Sequence, residues 1–179
     1  AEAADTFELI WGWGADESCG GITWMYPDVD PRKNAVTTLE AMQAAAQLSV
    51  ALRNHEPLRA RRLKEHAIKL STFFDSVQLL GPTGLVHDNV TGTAHGKYHC
   101  CNATHAPICE PRDTLTWTYN QGMLLGAVVD MHALTGEAHY LEVGAKTLDA
   151  VVSQLTRGRR EGGGEAATIL REPVGPLVI

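Results

Sequence analysis

The sequence lacks the features that would point to a nucleic acid or to a membrane. Its 179 residues carry 15 Lys and Arg against 21 Asp and Glu, which gives a formal net charge of −6 and a pI of about 5.7. Without an excess or a stripe of positive charge, there is no electrostatic footprint for nucleic acid. No apolar run reaches the roughly 18–20 residues that span a bilayer. These absences, with an ordinary hydrophobic fraction of 44%, indicate a globular domain.

The first residues also lack the features of a leader peptide. The chain begins with Ala1 rather than Met, and no positive segment followed by an apolar stretch opens it. The opening AEAADTFELIWGWG is typical of the tail of a helix that runs into a loop. We therefore expect Ala1 to be a cut edge, of a processed chain or of a fragment, and at this length one domain is the default.

Alternation of apolar and polar residues is nearly absent, while helical spacing recurs four times. Only GLVHD, ending at Asp88, is a short extended candidate. The predicted helices run from Asp30-Pro31 to about Asn54, from Glu56-Pro57 to the glycines at 81 and 84, from Trp117 to Gly136, and from about Ala138 to Gly158. The pattern predicts an all-α fold.

The second and fourth predicted helices repeat each other. LKEHAIKLSTFF, starting at Leu63, overlays LEVGAKTLDAVV, starting at Leu141, and each helix follows another long amphipathic helix and a short connection. The unit is a helical hairpin present twice, and stacked hairpins form solenoids or close into a toroid. Two hairpins are too few to close a ring. We therefore expect the segment to bury only part of its core.

Cysteines and glycan acceptors cluster in one polar stretch, HGKYHCCNATHAPICEP. The four cysteines are Cys19, Cys100, Cys101 and Cys109. Asn-x-Thr sequons begin at Asn89 and Asn102, the second inside the same stretch. This combination favours a secreted, oxidising setting with disulfides.

Zinc is the alternative for these cysteines, because three histidines are interleaved with them. They are His95, His99 and His105. Neither C-x-x-C nor H-x-x-x-H spacing is met, and two of the cysteines are adjacent. We favour disulfides over a metal, and their pairing stays open.

The segment WTYNQG is an unusual way to begin a buried helix, because it combines two aromatic rings with two side-chain amides. They belong to Trp117, Tyr119, Asn120 and Gln121. Flat apolar rings stack on the C–H faces of sugars, and amides supply the paired donors and acceptors that hydroxyls need. The alternative is structural, with Trp filling the core and the amides capping helix N–H groups.

Two further groups of the same kind lie near predicted helix starts. CGGITWMYPDVDPRKNA contains Trp24, Lys33 and Asn34, with two glycines that permit a close backbone approach. GLVHDN contains Asp88, whose carboxylate could accept sugar hydroxyls or could cap a loop. Lys33 could instead be a solvated residue at a helix start. Because the three groups recur at helix starts, a sugar cleft and a structural role both stay open.

Four segments together resemble glycoside hydrolase family 76. They are WGADESCGGITW, RKNA, GLVHD, and WTYNQG with TGE after it. They occur in the order found in that family, which contains endo-α-1,6-mannanases and related fungal cell-wall mannosidase-like proteins, and they extend from about Trp11 to Leu155. The resemblance implies an (α/α)6 toroid, of which residues 1–179 are a single partial domain and 156–179 a divergent tail.

The resemblance implies that α-1,6-mannosidic bonds are cleaved with retention by two adjacent aspartates, one the nucleophile and one the acid/base. This sequence has no Asp-Asp pair. Asp16 and Glu17 fall in the family's loop before the cysteine, where a structural role is favoured, and Asp28 and Asp30 flank a helix start, where capping is favoured. We therefore expect the catalytic pair upstream of Ala1, and no hydrolysis of mannan by this chain alone.

By the same resemblance, the chain holds the sugar-contacting half of the cleft. The implied substrate-binding residues are Trp117, Tyr119, Asn120 and Gln121 near the scissile mannose, with Asp88, Trp24, Asn34 and Lys33 around it. No metal and no cofactor is expected.

Three functions remain open at this point. The first is a segment of a secreted retaining α-mannanase, the second a fungal cell-wall transglycosylase of the same family, and the third a non-catalytic carbohydrate-binding α-toroid. The expected partner is mannan or another mannose-containing cell-wall glycan, and the expected location is secreted or at the cell wall. The closing ATILREPVGPLVI departs from the family pattern, so membrane anchoring is expected only through a segment missing at the C-terminus.

Overall fold

The computed structural model describes residues 2–16, 20–24, 32–92, 109–159 and 167–170. Its helices are α1 (Glu2–Gly14), α2 (Ala35–Leu52), α3 (Pro57–Ser76), α4 (Thr118–Thr135) and α5 (His139–Gln154). Its strands are β1 (Lys33–Asn34), β2 (Asn89–Gly92), β3 (Cys109–Asp113), β4 (Thr156–Arg159) and β5 (Ala167–Leu170). The all-α prediction is confirmed, because the helices build the core and the strands form only small antiparallel sheets, β1-β2-β3 and β4-β5. None of the described helices has the length and apolar character needed to cross a membrane.

The predicted start of α2 at Pro31 is wrong by four residues. Lys33 and Asn34 are extended and pair with Val90 and Asn89, so the helix begins only at Ala35. The Ala35 N–H donates to the carbonyl of Asp88 at 2.8 Å. Pairing with a strand more than fifty residues away therefore replaces the local helix start, and it attaches the head of α2 to β2.

The other helices begin and end close to the predicted signals. Pro57 occupies the first position of α3, where its missing N–H costs nothing. Gly136 ends α4 in the left-handed conformation, with φ of 79°, and its N–H donates to the carbonyl of His132. The prediction that α5 reaches Gly158 is wrong, because Thr156–Arg159 pairs with β5 instead.

The helices form two hairpins, α2–α3 and α4–α5, and α2 packs against both α3 and α4. The central core includes Leu39, Met42, Leu63, Leu124 and Met131, all buried. A second small cluster joins Leu85, in the loop after α3, to three residues at the end of α5: Ala150, Val151 and Leu155. This cluster fixes the loop that carries the GLVHD motif against the second hairpin.

The two repeated stripes have different environments. Leu70 of α3 is fully buried, whereas its repeat equivalent in α5, Leu148, is 50% exposed. Leu141 and Val152 on the same stripe of α5 are also exposed, and that helix buries its other face through Tyr140 and other residues. The expectation that the segment buries only part of its core is confirmed.

Candidate functional site

The heads of α2 and α4 meet at Asp88, the residue that precedes β2. Its carbonyl accepts the first N–H of α2. Its carboxylate Oδ1 accepts the hydroxyl of Tyr119 at 3.0 Å and the Nδ2 amide of Asn120 at 3.1 Å, both from the first turn of α4. Asp88 is buried, so these donors replace most of the water that a carboxylate would otherwise bind. The structure thus brings together three residues that the sequence predicted for one site.

Asn89 supplies a third donor to this carboxylate, and its burial argues against the glycan that the sequence predicted on this residue. Its Nδ2 donates to Asp88 Oδ2 at 3.0 Å, and the residue is 1% exposed. The sequon had predicted a glycan here. A glycan on Nδ2 would need space that the folded chain does not have, so Asn89 belongs to the site instead. The only signal in the sequence was its position directly after Asp88 in GLVHDN.

Three side-chain amide oxygens around Asp88 accept no hydrogen bond from the part of the chain that the structure describes. They are the Oδ1 atoms of Asn34, Asn89 and Asn120, all buried. Asn34 is the cross-strand partner of Asn89, so these amides belong to one neighbourhood. Buried acceptors of this kind normally have a partner. Because these oxygens are closed to solvent, a sugar in an outer cleft does not reach them.

Aromatic rings lie at the start of α4 and next to β1, the strand that pairs with β2. The rings of Trp117 and Tyr119 stack, with centroids 6.2 Å apart and 13° between their planes. Tyr119 and Trp24 are each 47% exposed. Trp24 is held next to β1, because its backbone N–H donates to the carbonyl of Arg32. The centroid of its ring lies 5.3 Å from the Arg32 guanidinium carbon. The site therefore pairs accessible ring surface with a buried carboxylate.

Gln121 lies inside the protein and holds two backbone segments together. Its Oε1 accepts the N–H of Val86 at 2.7 Å, and its Nε2 donates to the carbonyls of Val86 and Trp117, both at 3.0 Å. The side chain thus fixes Val86, two residues before Asp88, against the head of α4. Both ends of this amide are hydrogen-bonded within the chain, and the residue is buried. The sugar contact predicted for Gln121 is therefore not available in this structure.

The sugar contact predicted for Lys33 is wrong, because this side chain is 0% exposed. Its Nζ donates to Asp16 Oδ2 at 2.7 Å and to the Gly20 carbonyl at 2.6 Å, and lies 5.0 Å from the centroid of the Phe73 ring. Burial lowers the pKa of Lys33, while the hydrogen bond and charge of Asp16 oppose that shift and the charge of Lys69 adds to it. Lys33 thus ties the loop after α1 to β1, and the structural role predicted for Asp16 is confirmed.

The two glycines of CGGITW are required by their conformation and by a close contact. Gly20 and Gly21 have φ of 84° and 77°. A Cβ on Gly21 would lie 2.5 Å from Cε1 of Phe73, and one on Gly20 would lie 2.9 Å from its Cβ. The close backbone approach at these glycines is to Phe73 of α3 rather than to a sugar.

Several predicted residues lie outside the described part of the chain. They are Glu17, Cys19, Asp28, Asp30, His95, His99, Cys100, Cys101, Asn102 and His105. Only the backbone of Cys109 is described, in β3, where it pairs with Gly92. The disulfide, zinc and Asn102 glycosylation alternatives therefore stay predictions.

The model of Glycosyl hydrolase family 76 matches residues 1–172, a range that includes most of the tail predicted to diverge. No curated protein matches the chain.

Solved structures with the same fold include three informative cases. An inactive variant of an α-1,6-mannanase from a Salegentibacter species, in complex with α-1,6-mannotetrose, is 28% identical with a TM-score of 0.61, over 91% of this chain and 42% of its own. A family 76 glycoside hydrolase from a bovine Bacteroides thetaiotaomicron strain is 18% identical with a TM-score of 0.70, over 92% and 32%. Dfg5 from Chaetomium thermophilum, in complex with glucosamine, is 18% identical with a TM-score of 0.60, over 88% and 35%.

These matches give the hairpins their context. The chain spans between about a third and two fifths of the length of the structures that it matches. Its two hairpins and the exposed stripe of α5 are those of a segment of an α/α toroid, as predicted.

Proposed function

The chain belongs to glycosyl hydrolase family 76, and we propose that it supplies sugar-binding residues of an enzyme acting on α-1,6-mannan. The observation that carries this proposal is the carboxylate of Asp88, held by Tyr119 and Asn120 beside the stacked rings of Trp117 and Tyr119. The Salegentibacter relative, whose structure contains α-1,6-mannotetrose, supports the choice of substrate.

Each part of this site meets one requirement of a pyranose ring. The exposed rings of Tyr119 and Trp24 offer flat apolar surface for the C–H faces of a sugar. The Tyr119 ring is held in its orientation by the hydrogen bond from its hydroxyl to the Asp88 carboxylate. Asp88 is rigid because three side chains fix both of its oxygens, so little ordering is needed when a sugar binds.

In this proposal the chain positions a sugar and does not cleave it. Retaining cleavage requires two carboxyl groups on either side of the glycosidic bond. The Salegentibacter variant described as inactive has two consecutive aspartates replaced by alanine. This sequence contains no two consecutive aspartates, and the carboxylate of its candidate site, Asp88, already accepts hydrogen bonds from three donors. The role of Asp88 in this proposal is therefore to orient the side chains of Tyr119 and Asn120.

A second candidate is a carbohydrate-binding protein without hydrolytic activity, which a sequence upstream of Ala1 that also lacks an Asp-Asp pair would favour. Both candidates require the same sugar site, and they differ only in whether a catalytic pair is supplied. We further propose a secreted or cell-surface location, with Cys19, Cys100, Cys101 and Cys109 in disulfides and Asn102 glycosylated, because three of the cysteines and the Asn102 sequon cluster in a single segment.

Calorimetry with α-1,6-mannotetraose and the purified chain tests the sugar site, with maltotetraose as the control glycan. We expect binding on the order of 1 mM for the mannan fragment and none for maltotetraose. Trp117→Ala and Tyr119→Ala are expected to weaken binding by roughly 3- to 10-fold each, as the loss of an aromatic stacking contact predicts.

Trp13→Ala is the matched control, because Trp13 is a 69% exposed tryptophan of α1, outside the site. We expect it to bind as the wild type does. Equal binding of the two glycans, or equal loss in all three variants, would contradict the proposed site. Release of reducing sugar from α-1,6-mannan by this chain would contradict the proposal that it does not cleave.

A further inference from the structure

A second concave site lies at the opposite end of α2 from Asp88. It is bounded by the last turns of α2, the first turns of α3 and the end of α4, and it has a volume of about 270 Å³. Because α2 has 18 residues, its two ends are roughly 25 Å apart. We call this site the basic groove, and define it by Arg53, Arg61 and Lys64 at its rim and Val50, Ala60 and Leu134 on its floor.

The chain is acidic overall, yet the first two turns of α3 carry four cations, Arg59, Arg61, Arg62 and Lys64. The structure divides them into two pairs. Arg59 and Arg62 face α1, where Arg59 pairs with Asp5 and Glu8 and Arg62 with Glu8. Arg61 and Lys64 line the basic groove instead.

The cations of the basic groove are weakly compensated. Arg53 and Lys64 make no ion pair with any residue in the described ranges. Arg61 contacts Glu65 at 3.3 Å, with both side chains largely exposed, and this contact uses one of its five N–H donors. Among the described residues that line the groove there is no Asp or Glu. Positive charge is therefore concentrated in a concavity of an acidic protein.

We propose that the basic groove binds a small phosphate ester with an aliphatic body. A phosphate monoester carries about −1.5 to −2 charges at neutral pH, a match for the cations at the rim. The guanidinium forks of Arg53 and Arg61 suit the paired oxygens of a phosphate, and the Lys64 ammonium adds a point charge. The floor is aliphatic rather than aromatic, so it packs against methylene groups rather than stacking on a ring.

A free ester fits the basic groove better than a membrane surface does. Recruitment to anionic lipids typically uses clusters of four to eight cations, while three cations of the described chain line this concave site. The net charge of −6 also repels the remainder of the chain from an anionic surface.

The test is a titration of the ¹⁵N-labelled chain, followed by NMR, with inorganic phosphate, n-butyl phosphate and n-butanol. We expect saturable shifts of amide signals in 49–64 and 133–134, with n-butyl phosphate binding roughly 3- to 10-fold more tightly than phosphate, since its alkyl group covers the floor. n-Butanol is expected to give no saturable shifts. Binding of n-butyl phosphate should weaken as NaCl is added.

Charge-removing variants on the same helices separate the basic groove from general electrostatics. Arg53→Gln and Lys64→Gln are each expected to weaken binding of n-butyl phosphate about 5-fold or more, and the double variant to abolish it. Arg62→Gln removes the same charge on the side of α3 that faces α1, and is expected to change binding less than 2-fold. Thermal unfolding followed by circular dichroism checks that all variants remain folded.

Several results would overturn the proposal. The site does not exist if the NMR shifts are spread over the surface, or if Arg62→Gln weakens binding as much as Arg53→Gln does. The same holds if the double variant binds n-butyl phosphate as tightly as the wild type. Binding to vesicles of phosphatidylcholine with phosphatidic acid, without binding of free n-butyl phosphate, would assign the basic groove to a lipid surface instead. None of these outcomes depends on whether the chain binds mannan.

Discussion

The hydroxyl of Tyr119 donates a hydrogen bond to Asp88 Oδ1, and the Nδ2 amide of Asn120, the next residue of α4, donates to the same oxygen. One carboxylate in the loop before β2 thus accepts from two consecutive side chains at the start of a helix. This arrangement explains why α4 begins with aromatic and amide residues rather than with a simple cap. Those side chains orient the carboxylate, and the carboxylate orients the Tyr119 ring beside Trp117.

Asp88→Asn tests how much of this order depends on the carboxylate. The amide has one oxygen, and its NH₂ group would face donors that now point at Asp88 Oδ1 or Oδ2. We expect the free energy of unfolding in urea to fall by about 1.5–3 kcal/mol, the usual worth of a hydrogen bond to a charged group. Tyr119→Phe removes only one donor and keeps the ring, so about 1 kcal/mol is expected. An Asp88→Asn chain as stable as the wild type would show that the carboxylate does not organise this site.

Gln121 offers a separate test of how the loop is attached to α4. Gln121→Leu would leave the buried N–H and C=O of Val86 without partners, and we expect it to cost about 2–4 kcal/mol. Gln47→Leu is the control, because Gln47 donates to Asp130 at the surface, and we expect a change within about 0.5 kcal/mol. Similar losses in the two variants would contradict the attachment role of Gln121.

What the sequence predicted well was local. The spacing of Leu63, Ala67 and Leu70 is set by the helical period alone, and Gly136 ends α4 through its own backbone preference. What it did not predict depends on distant partners. β1 exists because Asn34 meets Asn89, and no alternation marks a two-residue strand.

In the candidate site, too, the local pattern was predictable and the contacts with distant residues were not. The sequence marks WTYNQG as an unusual helix start, but it does not distinguish the side chains that face solvent from those that hold the backbone. Tyr119 is exposed, while Gln121, two residues on, is buried against Val86. Lys33 was misplaced for the same reason, since its partners Asp16 and Gly20 lie in a loop whose path the sequence does not specify.

The buried ammonium of Lys33 predicts a characteristic dependence of stability on pH. Burial lowers the pKa of Lys33 in the folded state, so the unfolded chain binds more protons between that pKa and the ordinary value of 10.5. The free energy of unfolding contributed by Lys33 therefore rises with pH across this window. We expect the difference in unfolding free energy between the wild type and Lys33→Met to move in favour of the wild type as the pH is raised from 7 to 10.5.

Urea unfolding at several pH values measures this difference, and Lys146→Met, on the exposed face of α5, reports the general effect of losing one positive charge. A wild-type advantage over Lys33→Met that shrinks as the pH rises would show that the Asp16 contact outweighs burial. The pKa of Lys33 in the folded state would then be raised rather than lowered.

The repeat equivalents Leu70 and Leu148 test whether the apolar stripe of α5 is open in solution. Leu70 is fully buried in the core, and its truncation to Ala is expected to cost about 2–5 kcal/mol, as cavity formation does elsewhere. Leu148→Ala removes the same atoms from a half-exposed position, and a change within about 0.5 kcal/mol is expected. Thermal or urea unfolding of the two variants at low protein concentration measures both.

If Leu148→Ala costs as much as Leu70→Ala, the stripe is covered in solution, and sedimentation of the wild-type chain would then have to reveal an oligomer. A monomer with that loss would contradict the exposed position of α5.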